Sequence, residues 1–199
     1  MEVLNNIKDG IIATSWIEWL AVITGVLYVI LAAKKKMACW IFAIISSSIY
    51  VYLCATSNLL IESFLQVFYV LMGMAGWYFW NRTKDRDDLV RTWRLDFHLL
   101  NVAVSTVILL VVGYYFDHNT DQDYPYLDAF TTTYSIAATF MVTQRVLENW
   151  LYWIVIDIAA VFLYAAKDFY LTALLYLIFA ILAVFGYIQW RKKYKLQKV

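Results

Sequence analysis

The sequence predicts an all-α integral membrane protein of seven transmembrane helices, arranged as two parallel three-helix repeats joined by a linker helix in a 3+1+3 plan. Three observations predict it. The chain is too apolar for water, its basic residues gather at one end of its hydrophobic runs, and one half repeats the other at a fixed offset. Of its 199 residues, 63% are apolar, 19% aromatic and only 16% charged, whereas a soluble domain keeps about a quarter of its residues charged and about half apolar. The missing charge implies a lipid surround, and residues 1–199 are read as a single membrane domain.

A hydrocarbon core about 30 Å thick asks for about 20 mostly apolar residues per helix. Such runs lie near 16–33, 39–54, 60–80, 97–116, 127–143, 149–166 and 169–190. The first follows a polar stretch, residues 1–15, without the pattern of a cleavable signal, so it is expected to insert on its own. The second holds Cys39 and Cys54 at opposite ends, about 22 Å apart at the helical rise and beyond disulfide reach. The third places Gln66, Tyr69 and Gly73 on one face at spacings of three and four. A connector from Asn81 to Asp96 mixes five basic with four acidic residues and reads as solvated. The linker helix, 97–116, is flanked by His98 and His118 with no cluster at metal-ligand spacing, so no structural metal is expected. Pro125 stands just before the fifth run, where a helix start tolerates it. The sixth run carries Asp157 at its centre, and the seventh ends in a basic tail.

Alternating the loops between two sides puts fourteen Lys and Arg on one side and only Lys8 and Lys167 on the other. The basic side is cytoplasmic by the positive-inside rule, which places the N-terminus outside and the C-terminus in the cytoplasm. A net charge of +1 with no basic stripe excludes a nucleic-acid partner.

Trp40–Trp80 and Trp150–Trp190 align without a gap at an offset of 110 residues, with matches that include Trp40/Trp150, Leu53/Leu163, Gly76/Gly186 and Trp80/Trp190. Extended backwards, the offset pairs Glu18 with Asp128 and Lys35 with Arg145, so the repeats cover residues 16–80 and 126–190. An even number of crossings separates them. Both therefore face the same way, and a substrate site is expected between them near mid-membrane.

Polar side chains at membrane depth are costly and become candidates for function. Asp157 has no basic residue on its helix interior, and Asn149, Trp153 and Asp157 share one helical face. A carboxylate, an amide and an indole along one face suit a flat cationic ring, by charge and by stacking. Packing bonds between helices are the alternative for Asp157 and Gln66, and an interfacial aromatic belt is the alternative for Trp150. Glu18, Ser47, Tyr69 and Asp128 are candidates for gating or for supporting the site. No nucleophile is paired with a base, and no phosphate loop occurs, so no enzyme is expected.

At these residues the chain resembles the PnuC family of bacterial vitamin transporters. The matching stretches are Gln66 with Gly76-Trp77-Tyr78-Phe79-Trp80, and Arg145 followed by Glu148-Asn149-Trp150-Leu151-Tyr152-Trp153 and Asp157; Glu18 and Gly25 fit more weakly. The resemblance spans nearly all of residues 16–190 and departs from the family pattern at Val146 and Ser47. It implies a SWEET-like fold in the bacterial inner membrane and uptake of a B-type vitamin, nicotinamide riboside first, by facilitated diffusion. It also implies trapping of that substrate by a cytoplasmic vitamin kinase, and no cofactor. The binding residues it implies are Gln66, Asn149, Trp153 and Asp157, with Trp150 beside them. Thiamin or riboflavin, or a proton-coupled carrier using Asp157, stand as alternatives, and the chain is compatible with self-association into a homo-oligomer.

Overall fold

The structure is a computed structural model that describes residues 2–57, 60–82 and 89–197. Lys84, Arg86 and Lys198, counted above with the basic side, lie outside the described residues, as does the middle of the 81–96 connector. Among the described residues there are eight α-helices: α1 (Glu2–Ala13), α2 (Trp16–Ala33), α3 (Cys39–Thr56), α4 (Leu60–Arg82), α5 (Leu95–Asn119), α6 (Pro125–Thr143), α7 (Asn149–Ala166) and α8 (Tyr170–Leu196). Five of them, α2, α3, α5, α7 and α8, are long and apolar enough to cross a membrane. The helix α4 carries Glu62, Gln66 and Arg82, and α6 carries Asp128 and a run of hydroxyls, which lowers the hydropathy of both.

The expected runs 16–33 and 149–166 coincide with α2 and α7, and the linker is longer than its apolar part, 95–119 rather than 97–116. An element not expected from the sequence is α1, an amphipathic helix within the polar stretch 1–15. Ser15 separates it from α2 through a capping box. The Ser15 N–H donates to Glu18 Oε2 at 2.6 Å, and the Glu18 N–H donates to Ser15 Oγ at 3.3 Å. Glu18 thus satisfies an orphan amide at a helix start.

Helices α2, α3 and α4 pack in succession, as do α6, α7 and α8, and the two sets meet reciprocally: α8 lies on α2, and α4 on α6. The linker α5 packs along α6, and α1 rests on α8. Residues 110 apart adopt the same local geometry. The C-caps of α2 and α6 are Lys34 and Gln144, and each is followed by a left-handed basic residue, Lys35 at φ 56° and Arg145 at φ 57°. Lys36 N–H then reaches back to Leu31 O at 2.9 Å, and Val146 N–H to Met141 O at 3.0 Å.

The connector is more than a solvated loop. Arg91 forms a parallel bridge to the α6–α7 turn, with its N–H on Arg145 O at 2.9 Å and its carbonyl accepting from Leu147 N–H at 2.7 Å. Val90 N–H also donates to Gln197 Oε1 at 3.2 Å, and Trp93 N–H to Glu148 Oε2 at 3.3 Å. One turn of the second helix triplet is thereby clipped to the linker and to the C-terminal end of α8.

Candidate functional site

Asp157 is the ninth residue of the eighteen in α7 and is 3% exposed. Among the described residues no hydrogen bond or ion pair holds its carboxyl. A phenol stands near it instead. Tyr176 on α8 lies within electrostatic reach of Asp157, of Tyr164 on α7 and of Tyr69 on α4. The Tyr164 and Tyr176 rings stack at 5.1 Å with an interplanar angle of 10°. Tyr69 stands beside the Ser135 hydroxyl of α6, and Tyr28 of α2 is within reach of Tyr69. Helices α7 and α8 thus set the carboxyl near the Tyr176 phenol, and Tyr69 of α4, the Ser135 hydroxyl of α6 and Tyr28 of α2 continue from it toward the Asn149 end.

The inner face of α6 adds a hydroxyl ladder. Thr131, Ser135 and Thr139 recur on one face below Asp128, and each donates to its own helix: to Asp128 O at 2.9 Å, Thr131 O at 2.6 Å and Ser135 O at 2.7 Å. Back-bonding of this kind satisfies the hydroxyl proton and leaves oxygen lone pairs to accept from a neighbour. Sequence reading missed this ladder and the Tyr28, Tyr164 and Tyr176 cluster. The spacing 128-131-135-139 was the available signal for the first. For the second no signal existed, since tyrosines in apolar runs read equally well as an interfacial belt.

The residues singled out from the sequence do not all sit together. Asn149 opens α7, is fully buried, and donates from Nδ2 to Val146 O, while its Oδ1 has no partner. It stands about 12 Å from Asp157 along the helix at the usual rise. Trp153, half-buried between them, packs on an aromatic core at the Asn149 end. Trp150 belongs to that core: its ring lies on Gly186 and meets Trp190 edge-on at 5.5 Å. Gln66 and Ser47 are half-buried, whereas the neighbour Ser46 is buried and donates to Ala21 O at 2.9 Å. At the opposite end from Asn149, Asp128 pairs with Lys167 Nζ at 3.2 Å and accepts from Gln122 Nε2. Glu62 is exposed.

The core at the Asn149 end is built from four tryptophans in a chain. Trp40 meets Trp80 edge-on at 5.2 Å, Trp80 meets Trp190 at 6.2 Å, and Trp190 meets Trp150. Gly76 and Gly186 admit the rings, since a Cβ would come within 2.4 Å of Trp40 and 2.6 Å of Trp150 respectively. Each third helix then donates its last indole to the first helix of the other triplet. Trp80 Nε1 reaches Thr143 O, and Trp190 Nε1 reaches Ala32 O, both at 3.1 Å. Arg145 adds a hydrogen bond to Trp80 O at 3.0 Å and lies 5.0 Å over the Trp80 ring. Cys39 is buried in the same cluster.

A buried mid-helix carboxyl without a fixed cation, with a phenol near it, can offset its desolvation against a cationic ligand. No Lys or Arg occurs within the apolar parts of the seven runs. A phosphate dianion would therefore meet Asp157 with nothing to neutralise it.

Residues 15–192 match the family model described as nicotinamide mononucleotide transporter. The chain is 29% identical to the nicotinamide riboside transporter PnuC of Neisseria mucosa, over 91% of this chain and 74% of that protein. It is 25% identical to the nicotinamide riboside transporter PnuC of Escherichia coli, over 88% of this chain and 85% of that one. A crystal structure of the vitamin B3 transporter PnuC superposes with a TM-score of 0.74 at 28% identity, covering 97% of this chain and 90% of that chain.

Proposed function

The chain belongs to the nicotinamide mononucleotide transporter family, and from that premise we propose that it takes up nicotinamide riboside. It is a multi-pass membrane transporter of the PnuC type and not an enzyme. The observation that carries the substrate reading is Asp157: a buried mid-helix carboxyl near the Tyr176 phenol, on a helix without a basic residue in its interior. The riboside has a flat cationic ring and no phosphate, so it fits where the mononucleotide would be repelled. Asp157 pairs with the pyridinium charge in this reading, Trp153 and the tyrosines stack on the ring, and Gln66 and Asn149 orient the ligand. Trp150 acts through packing at the Asn149 end.

The reciprocal helix contacts and the matched geometry at residues 110 apart support a 3+1+3 arrangement of seven spans with α5 as linker, and the charge bias between the loops supports an inner-membrane orientation with the C-terminus cytoplasmic. The pathway runs between the two triplets. The tryptophan chain closes it at the Asn149 end, and the Asp128–Lys167 pair marks the other. Transport is facilitated diffusion, made one-way by a cytoplasmic kinase. Phosphorylation adds negative charge, and the product no longer suits a site built around a carboxylate. Calorimetric titration of the purified protein with nicotinamide riboside, its mononucleotide, thiamin and riboflavin tests this. The riboside should bind and the mononucleotide should not; tighter binding of thiamin would reassign the vitamin, and tight binding of the mononucleotide would overturn the charge argument.

The absence of a fixed partner on Asp157 also favours a second reading, a carrier that moves a proton on that carboxyl. Uptake into kinase-free vesicles separates the two. Facilitated diffusion only equilibrates the riboside, whereas a pH gradient that concentrates it would establish coupling.

A further inference from the structure

The helix α1 precedes the stretch matched by the family model and takes no part in the pathway described above. Leu4, Ile7 and Ile11 recur along it at spacings of three and four and form one stripe. Leu4 is 65% and Ile11 45% exposed, so the chain leaves this stripe largely uncovered. Asn5 and Asp9, one turn apart and both exposed, lie on the other side. Gly10 sits on a flank and faces Leu171, the second residue of α8.

These contacts set the height of the helix. It ends at Ala13, just before Trp16 opens α2, and it rests on the head of α8; both α2 and α8 have the length and hydropathy of membrane spans. A helix joined to the head of one span and resting on the head of another is held where hydrocarbon gives way to headgroups. Its 12 residues extend about 18 Å, too little to cross a core of about 30 Å. Trp16, 77% exposed at the same level, is placed as an interfacial indole would be.

We propose that α1 is an amphipathic anchor lying in the headgroup boundary of the bilayer. Leu4, Ile7 and Ile11 enter the acyl layer, Asn5 and Asp9 face water, and Gly10 against Leu171 braces the head of α8. Lys8 beside Asp9 leaves no basic surplus there, so insertion rests on apolar burial and proceeds in zwitterionic as well as anionic lipid.

The test uses the full chain in phosphatidylcholine vesicles, with Cys39 and Cys54 replaced by alanine and single nitroxide-labelled cysteines introduced by Leu4→Cys, Asn5→Cys, Asp9→Cys or Ile11→Cys. Collisions with oxygen should exceed collisions with a water-soluble nickel chelate at positions 4 and 11, and the order should reverse at 5 and 9. Chelate-dominated collisions at all four positions would overturn the proposal, because the helix would then stand in water. Protection of 4 and 11 from both quenchers would also overturn it, because protein would then cover the stripe. Should the cysteine-free chain fail to fold, Leu4→Asp with Ile11→Asp in the native-cysteine chain gives a second measurement by hydrogen exchange in the same vesicles. Protection should be lost in α1 alone, with α2–α8 unchanged. Undiminished protection of α1 would refute the anchor.

Discussion

Trp80→Phe keeps an aromatic ring at the centre of the tryptophan chain and deletes the donor that ties α4 to α6 across the two triplets. Its Nε1 lies 3.1 Å from the Thr143 carbonyl, which ends α6 and has no later amide of its own helix to receive. Deleting the indole N–H therefore leaves a buried carbonyl unpaired, at a cost of about 1–3 kcal/mol. Trp190→Phe removes a bond of the same length to Ala32 O, but that oxygen also accepts from Lys35 N–H at 2.9 Å. Its loss costs about 0.5–1.5 kcal/mol, the net worth of one hydrogen bond. If these bonds hold one end of the pathway shut, opening should become about fivefold to more than a hundredfold more frequent in Trp80→Phe, and about twofold to tenfold in Trp190→Phe. Cys39, fully buried in the same cluster, reports the opening. In a Cys54→Ala chain, its rate of alkylation by N-ethylmaleimide should rise in that order, since exchange through local opening follows the open population. A wild-type rate in a folded Trp80→Phe protein would refute the closure, and a larger effect of Trp190→Phe would refute the accounting of the two carbonyls.

Asp157→Asn keeps the shape and removes the charge, so riboside affinity should fall by about tenfold to more than a hundredfold, equivalent to about 1.5–3 kcal/mol for one charge-assisted contact; an unchanged calorimetric affinity would make Asp157 a packing residue. Trp153→Ala should weaken the same binding comparably, and Glu62→Gln, at an exposed position, should leave it unchanged. Gly76→Ala would push a methyl into the Trp40 ring and should destabilise the protein by about 1–3 kcal/mol, read as a lower unfolding temperature in detergent; an unaltered temperature would mean that the ring can move aside. Cysteines introduced at Asn119 should react with an impermeant thiol reagent added outside intact cells, and cysteines at Lys193 should not, whereas the reverse pattern would invert the orientation.

Much of the architecture was legible because lipid is a strict solvent. A span must be apolar over a length set by bilayer thickness, so hydropathy alone delimited α2 and α7 at the ends they have. The offset of 110 residues was legible for a similar reason, since each triplet needs a glycine where an indole crosses, and Gly76 and Gly186 stand at matching positions. The helix α1 was not legible as an element, because its apolar residues form a stripe and no run. The partners of the polar residues were beyond the sequence too. The sequence put a carboxylate in mid-helix at Asp157, but only the folded chain decided that a tyrosine of another helix, Tyr176, stands near it. It likewise decided that Trp150 lies on Gly186 and Trp190, and that the Trp80 indole reaches the Thr143 carbonyl. Hydropathy and period are properties of a segment and its solvent, whereas these contacts join residues far apart in the chain. No local pattern encodes which distant side chain fills a given space.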